Sequence, residues 1–208
     1  IIVSSIDSDV GDDKSNDDYF TGAKEHPEGY VKDVYQSNST GKIGYTVSVP
    51  VLGLHGSGDV VGVIVARAEL DRLNKITEHS SEVLGETGEV YLVNSDGFIF
   101  TTSRFLGDSV ILKQKVDNES VRKCLNGEEN TSVSSDYRGN HVLGAYRGNE
   151  INALLGHKWC VVSEISMAEV DEPIIILRNQ ILAIAGILAV IILVLAFVAS
   201  RLVGEYVR

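Results

Sequence analysis

Eight side chains between positions 19 and 67 are of types that can hold a small polar molecule: Tyr19, Phe20, Tyr35 and Tyr45 as aromatic walls, with Asp33, Thr46, Ser48 and Arg67 among them. Aromatic walls carrying a few polar groups are the usual composition of a small-molecule site. For any single aromatic the core is the more ordinary place, so the weight falls on Arg67. It interrupts the apolar run "VVGVIVARAEL", where a charge is costly unless it is paired or meets water. Asp17, Asp33, an anionic ligand or an exposed strand end would each satisfy it.

Catalytic patterns are missing. The five histidines are scattered, with no HExxH among them. His55-Gly56-Ser57-Gly58-Asp59 lacks the outer glycines of a nucleophile elbow, and its place between two strand-like runs makes a hairpin loop the better account. A membrane-tethered hydrolase would need a nucleophile and base, and no such pair shows. The acidic stretch "DSDVGDDKSNDD", started as an EF-hand at Asp7, has Gly11 at its fifth place and Asp12 where the glycine belongs. It reads as a solvated acidic loop. No catalytic residue, metal or cofactor is expected. Sequons at Asn38, Asn118 and Asn130 matter only in a host that glycosylates them.

The elements that would position these side chains repeat. One offset of about a hundred residues sets Ile2-Val3-Ser4-Ser5 over Ile99-Phe100-Thr101-Thr102. It also sets "GKIGYTVS" over "RGNHVLGA", and "GVIVARAEL" over "WCVVSEISM", where Arg67 meets Glu164. Each copy reads as an opening hairpin, a helical connection and a run of antiparallel strands. In the first copy the helix lies in "SNDDYFTGAKEH", followed by strands "GYVKDVYQS", "KIGYTVSVPVLG" and "DVVGVIVARAEL". In the second, "EVYLVN", a Ser95-Asp96-Gly97 turn and Phe98-Ile99-Phe100 form the hairpin. A helix in "DNESVRKCLNGEE" follows, capped by Asp117 or Asn118 and closed by Gly127. Strands "TSVSSDYRG", "HVLGAYRG" and "KWCVVSEIS" end the copy, and Leu70, Leu73, Ile76 and Val83 make an amphipathic helix between the two. The expected class is α+β, two antiparallel sheets each flanked by helices. Nothing before Ile1 matches "EVYLVN", so the chain reads as a fragment cut inside its first domain.

The tail carries "ILAIAGILAVIILVLAFVA", Ile181 to Ala199, with no charged residue, which is about the length that crosses a hydrocarbon core. Pro173 suits the start of that helix, with Arg178 near enough to snorkel. Arg201 and Arg208 after the span, against Asp171 and Glu172 before it, put the C-terminal side in the cytoplasm. The rest of the chain is then extracytoplasmic, and it carries the acidic excess of a chain of net charge −11. Such a surface disfavours a nucleic-acid partner and keeps an exposed domain soluble. Outside the cell a bridge between Cys124 and Cys160 is allowed; the alternative is two small buried apolar residues.

In this order the segments "GYVKDVYQSNSTGKIGYTVSVPVLG", "GDVVGVIVARAELDRLNKI", "GETGEVYLVNSDGFIFTTSRF", "YRGNHVLGAYRG" and "KWCVVSEISMAEV" before a span resemble the double Cache family over nearly the whole chain. These are tandem PAS-like sensor regions of prokaryotic receptors. The resemblance implies a membrane-distal domain at 1–70 that holds the ligand, a connecting helix at 71–84 and a membrane-proximal domain at 85–172. It implies a transmembrane helix at 173–200 and the start of a HAMP-like cytoplasmic linker at 201–208. A second span upstream and a homodimeric receptor are also implied. The wording "ARAELDRLN" and "LGAYRG" is nearest to sensor histidine kinases. A chemoreceptor ectodomain, or a protein-binding adhesion module with no small ligand, are the alternatives. In the amino-acid-binding branch, the aromatic pair matches Tyr19-Phe20 and the strand tyrosine matches Tyr35. That branch's carboxylate-binding arginine falls at Asp17, its strand aspartate near Ser37 and its ammonium-binding aspartate at Arg67. Both key charges are reversed, so a carboxylate held by Arg67 replaces the usual amino-acid arrangement as the expected ligand chemistry.

Overall fold

The computed structural model describes residues 10–38, 40–53, 59–148 and 157–206, and two compact units divide at Ser166/Met167. The expected opening segment Ile2–Ser5, the start of the acidic stretch at Asp7, and residues 55–58 of the loop before Asp59 lie outside the described residues.

Helix α1 (Asp18–Glu25) carries Asp18 in its first turn and Lys24 in its last, the charge order the helix dipole favours. It lies against a sheet of three antiparallel strands, β1 (Tyr30–Gln36), β2 (Ile43–Leu52) and β3 (Val60–Glu69), in the order β1-β2-β3. The close approach of α1 to β1 requires glycine at 22. A Cβ there would stand 2.5 Å from the ring of Tyr30. Thr46 on β2 pairs with Lys32 on one side and Arg67 on the other, which puts all three side chains on one face. Beyond Lys32 the register shifts by one residue, so Tyr35 pairs with Gly44. The extra residue in β1 is a β-bulge.

Helix α2 (Asp71–Val83) leads to the second sheet, in the order β4-β7-β6-β5, from β4 (Glu89–Val93), β5 (Asn130–Ser135), β6 (His141–Arg147) and β7 (Cys160–Ser166). The repeat in the sequence thus reappears as one strand order, β1-β2-β3 in the first sheet and β5-β6-β7 in the second. Helix α3 (Glu119–Leu125) begins where the sequence predicts: Asn118 Oδ1 accepts from Val121 N at 2.8 Å, and Gly127 takes the left-handed conformation after it. The hairpin differs from expectation. Phe98-Ile99-Phe100 forms only isolated bridges, because its hydrogen bonds are split between β4 (Phe100 N to Leu92 O, 3.0 Å) and the 112–116 segment (Ile99 N to Gln114 O, 2.9 Å). That double engagement covers β4, every residue of which is buried although it ends the sheet.

The core is centred on the second sheet, with Tyr91, Val93, Ile99, Phe100, Val121, Trp159 and Val162 in one cluster that Val34 and Leu70 of the first sheet join. Cys124 of α3 and Cys160 of β7, both fully buried, form a disulfide within it, which settles the open choice in favour of a bridge. The second unit is one helix, α4 (Met167–Tyr206), whose stretch 167–201 is apolar enough to cross a membrane. It starts earlier than expected. Pro173 sits inside its second turn rather than at its head, and near the helix end it removes a single bond, the one its absent N–H would make.

The bridge closes a loop across 36 residues of sequence separation, so a Cys124→Ala/Cys160→Ala variant should lose about 4 kcal/mol of stability. Urea unfolding of the two proteins, compared at one pH, measures that loss.

Candidate functional site

The face of the first sheet turned toward α1 gathers most of the polar residues singled out in the sequence. Ser48 donates from Oγ to the carbonyl of Tyr19 at 2.7 Å, tying β2 to α1. Thr46 and Tyr35 share a hydrogen bond of 2.9 Å between hydroxyls. Tyr19 donates to Asp17 Oδ2 at 2.6 Å. Burial first, and then that bond to a carboxylate, raises the Tyr19 phenol above its ordinary value, so it stays a donor.

Two cations meet at the ring of Tyr35. Lys32 Nζ stands 4.6 Å from the ring centroid and 5.9 Å from that of Tyr19, and its ammonium pairs with Asp18 at 3.1 Å. The guanidinium carbon of Arg67 stands 5.9 Å from the same Tyr35 centroid. Arg67 is exposed, and no carboxylate pairs with it among the described residues. The cluster therefore opens to solvent at a cation that the protein leaves available. An anion placed there would meet planar, paired donors on Arg67, a second positive charge at Lys32 and the hydroxyls of Tyr35 and Thr46.

Asp17, Tyr19, Tyr35, Thr46, Ser48 and Arg67 are thus brought to one side of the sheet. Phe20 is half-buried on α1, with Lys24 Nζ 5.9 Å from its ring. Asp33, Tyr45 and Ser37 are elsewhere. Asp33 Oδ1 accepts from Trp159 Nε1 at 2.6 Å and from Val34 N at 2.7 Å. Tyr45 meets the edge of Trp159 at 5.7 Å, and Ser37 accepts from Thr40 N at 3.3 Å in the turn after β1. Asp33 and Tyr45 therefore join the first sheet to the second, where His157 also bonds the carbonyl of Val31. Burial lowers the His157 pKa, favouring the neutral ring. Lys32 was not among the residues singled out. Its pairing opposite Thr46 puts it on the same face, but the bulge before Tyr35 hides this from alternation along the sequence.

The sequence profile described as a Cache domain matches residues 1–174. Among curated proteins nothing matches by sequence. Of solved structures, the extracellular domain of mmHK1S-Z3, described as a histidine kinase, superposes with a TM-score of 0.60 at 18% identity, covering 79% of this chain and 58% of that one. The ligand-binding domain of the Pseudomonas aeruginosa PAO1 amino acid chemoreceptor PctC, in complex with GABA, gives 0.54 at 17% identity over 76% and 64%. The ligand-binding domain of Mlp24 with asparagine gives 0.52 at 17% over 76% and 59%. These matches establish the fold, and the chain spans less than two thirds of each of those structures.

Separate roles for Asp33 and Arg67 lead to unequal effects on stability. Trp159→Phe removes a donor from Asp33 and should cost about 1–3 kcal/mol, whereas exposed Arg67→Ala should stay within about 0.5 kcal/mol of the parent. Thermal unfolding of both variants beside the parent chain checks the contrast.

Proposed function

The chain belongs to the Cache domain family, and we propose that it is the extracytoplasmic ligand-sensing region of a transmembrane receptor of the sensor histidine kinase type. In this reading residues 1–70 and 85–172 are tandem PAS-like domains joined by α2. Residues 173–200 cross the membrane, a second span lies upstream, and the working receptor is a homodimer. The described part of the chain is a sensing module.

The ligand is a small molecule bearing a carboxylate, held between α1 and the first sheet. The observation that carries this is Arg67: a guanidinium without an ionic partner among the described residues, over the Tyr35 ring, on the face that α1 covers. A free cation beside ordered hydroxyls gains charge-assisted hydrogen bonds when a carboxylate arrives. Asparagine and GABA, the ligands held by two of the similar structures, each carry such a group. The PctC structure also supports a chemoreceptor reading, which shares this site and differs only in the output. An α-amino acid bound in the usual orientation fits less well, because Asp17 and Arg67 would each face a like charge on it. Binding can signal only through a difference in affinity between two receptor states.

A thermal-shift screen of the full chain in detergent, with amino acids, mono- and dicarboxylates, amines, sugars and purines, tests this. A carboxylate at a hundred times its Kd should stabilise the fold by about 2.7 kcal/mol, a rise of a few degrees. Arg67→Ala should abolish the rise while leaving the unliganded midpoint unchanged. A hit confined to amines or sugars, or one indifferent to that substitution, contradicts the reading.

A further inference from the structure

The second sheet holds another polar cluster, and this one is acidic and enclosed. Glu89 of β4 and Glu164 of β7 are direct cross-strand partners, with only 2% and 4% of their surfaces exposed. In the sequence repeat Glu164 stands where Arg67 stands in the first copy. Its Oε1 accepts from the hydroxyl of Tyr146 of β6 at 2.9 Å, and its Oε2 from that of Tyr91 of β4 at 3.0 Å. Glu89 accepts from Arg104 N at 2.9 Å and from the hydroxyl of Tyr137, in the β5–β6 turn, at 2.8 and 3.0 Å.

The nearby cations are committed elsewhere. The Arg104 guanidinium donates to the carbonyls of Ser81, Gly85 and Gly88, and Arg138 pairs with Asp136, a third buried carboxylate. Helix α2 presents the hydroxyl of Ser81, which accepts from Val90 N, and α3 that of Ser120, which shares a hydrogen bond with Ser132. Among the described residues no cation pairs with Glu89 or Glu164. Two like charges opposed across a ladder and shielded from water are costly together, and one proton relieves the cost.

We propose that Glu164, enclosed opposite Glu89 across the β4–β7 seam, is a proton-binding group that releases its proton as pH rises, loosening that seam. Burial pushes the Glu164 carboxyl up to about 7. The Tyr146 and Tyr91 hydroxyls pull it back, while Asp136 and Glu89 add repulsion. The tyrosines keep their protons and remain donors, since burial raises both. Because the folded chain then holds a proton that the unfolded chain has lost, stability falls as pH climbs from the ordinary glutamate range to about 7 and levels off above it. Strand β7 runs into α4 one residue after Ser166, so the titrating strand is the one that continues into the apolar helix.

The test is infrared titration of the full chain in detergent, following the stretch of buried protonated carboxyl, together with thermal unfolding at about pH 5.5 and about pH 8. The parent chain should show a carboxyl band with a midpoint near neutrality and should melt higher at the lower pH. Glu164→Gln should lose the band and flatten the pH dependence, and Glu89→Gln should lower the midpoint. A midpoint in the ordinary carboxylate range, or a pH dependence unchanged in Glu164→Gln, overturns the proposal. Should Glu164→Gln fail to fold, the parent titration and Glu89→Gln still decide it.

Discussion

One extra residue in β1 sets which chemistry faces which partner. Thr46 opposes Lys32 and Gly44 opposes Tyr35, so two residues of β2 span three of β1. Without that bulge Lys32 and Tyr35 would point to opposite faces, since side chains alternate along a regular strand. With it, the ammonium of Lys32 lies over the Tyr35 ring and the Tyr35 hydroxyl reaches Thr46. Arg67, in register with Thr46 from β3, completes the cluster. Helix α1 can close on this face because residue 22 has no side chain to strike Tyr30.

The same bulge turns Asp33 the other way, into the junction between the sheets. Its carboxylate takes the indole N–H of Trp159, and Trp159 also packs on Phe100 at 4.8 Å beside the Cys124–Cys160 bridge. The candidate site and the core of the second sheet are therefore separated by the thickness of one three-stranded sheet. A displacement of β1 caused by a ligand would be felt at Trp159, which immediately precedes the buried start of β7. The first sheet has few buried apolar residues of its own: Val47, Val49 and Ile64 remain exposed while the second sheet holds most of the core. The better-packed second sheet gives the thinner first sheet something rigid to work against.

Much of this was legible in the residues. The offset repeat marked a strand order used twice, and Asn118 and Gly127 marked the ends of α3. The aromatic and hydroxyl residues that gather under α1 were also visible. Tyr45 was separable, since alternation along β2 puts it on the face opposite Thr46 and Ser48; Asp33 was not, because a bulge inserts a residue without any composition that announces it, and strict alternation from Tyr35 assigns Asp33 to the wrong face. Lys32 was overlooked for the same reason. Glu164 hid within an apolar strand, where nothing local distinguishes a buried acid from an exposed one; its environment is made by Tyr91, Tyr146 and Glu89, which come from two other strands. Pro173 suggested a helix start, but a helix end tolerates proline a turn further in.

The eight tyrosines offer one direct test of where a ligand binds, because four belong to the first sheet and α1, three to the second sheet and its turn, and one to α4. The measurement is a titration of the full chain, with tyrosine rings isotopically labelled, against a carboxylate found in the ligand screen, followed by NMR. Shifts concentrated at Tyr19 and Tyr35, with Tyr91, Tyr137 and Tyr146 little changed, are the predicted result. Shifts concentrated at Tyr91 and Tyr146, with Tyr19 and Tyr35 silent, would place the ligand in the second sheet and contradict the account.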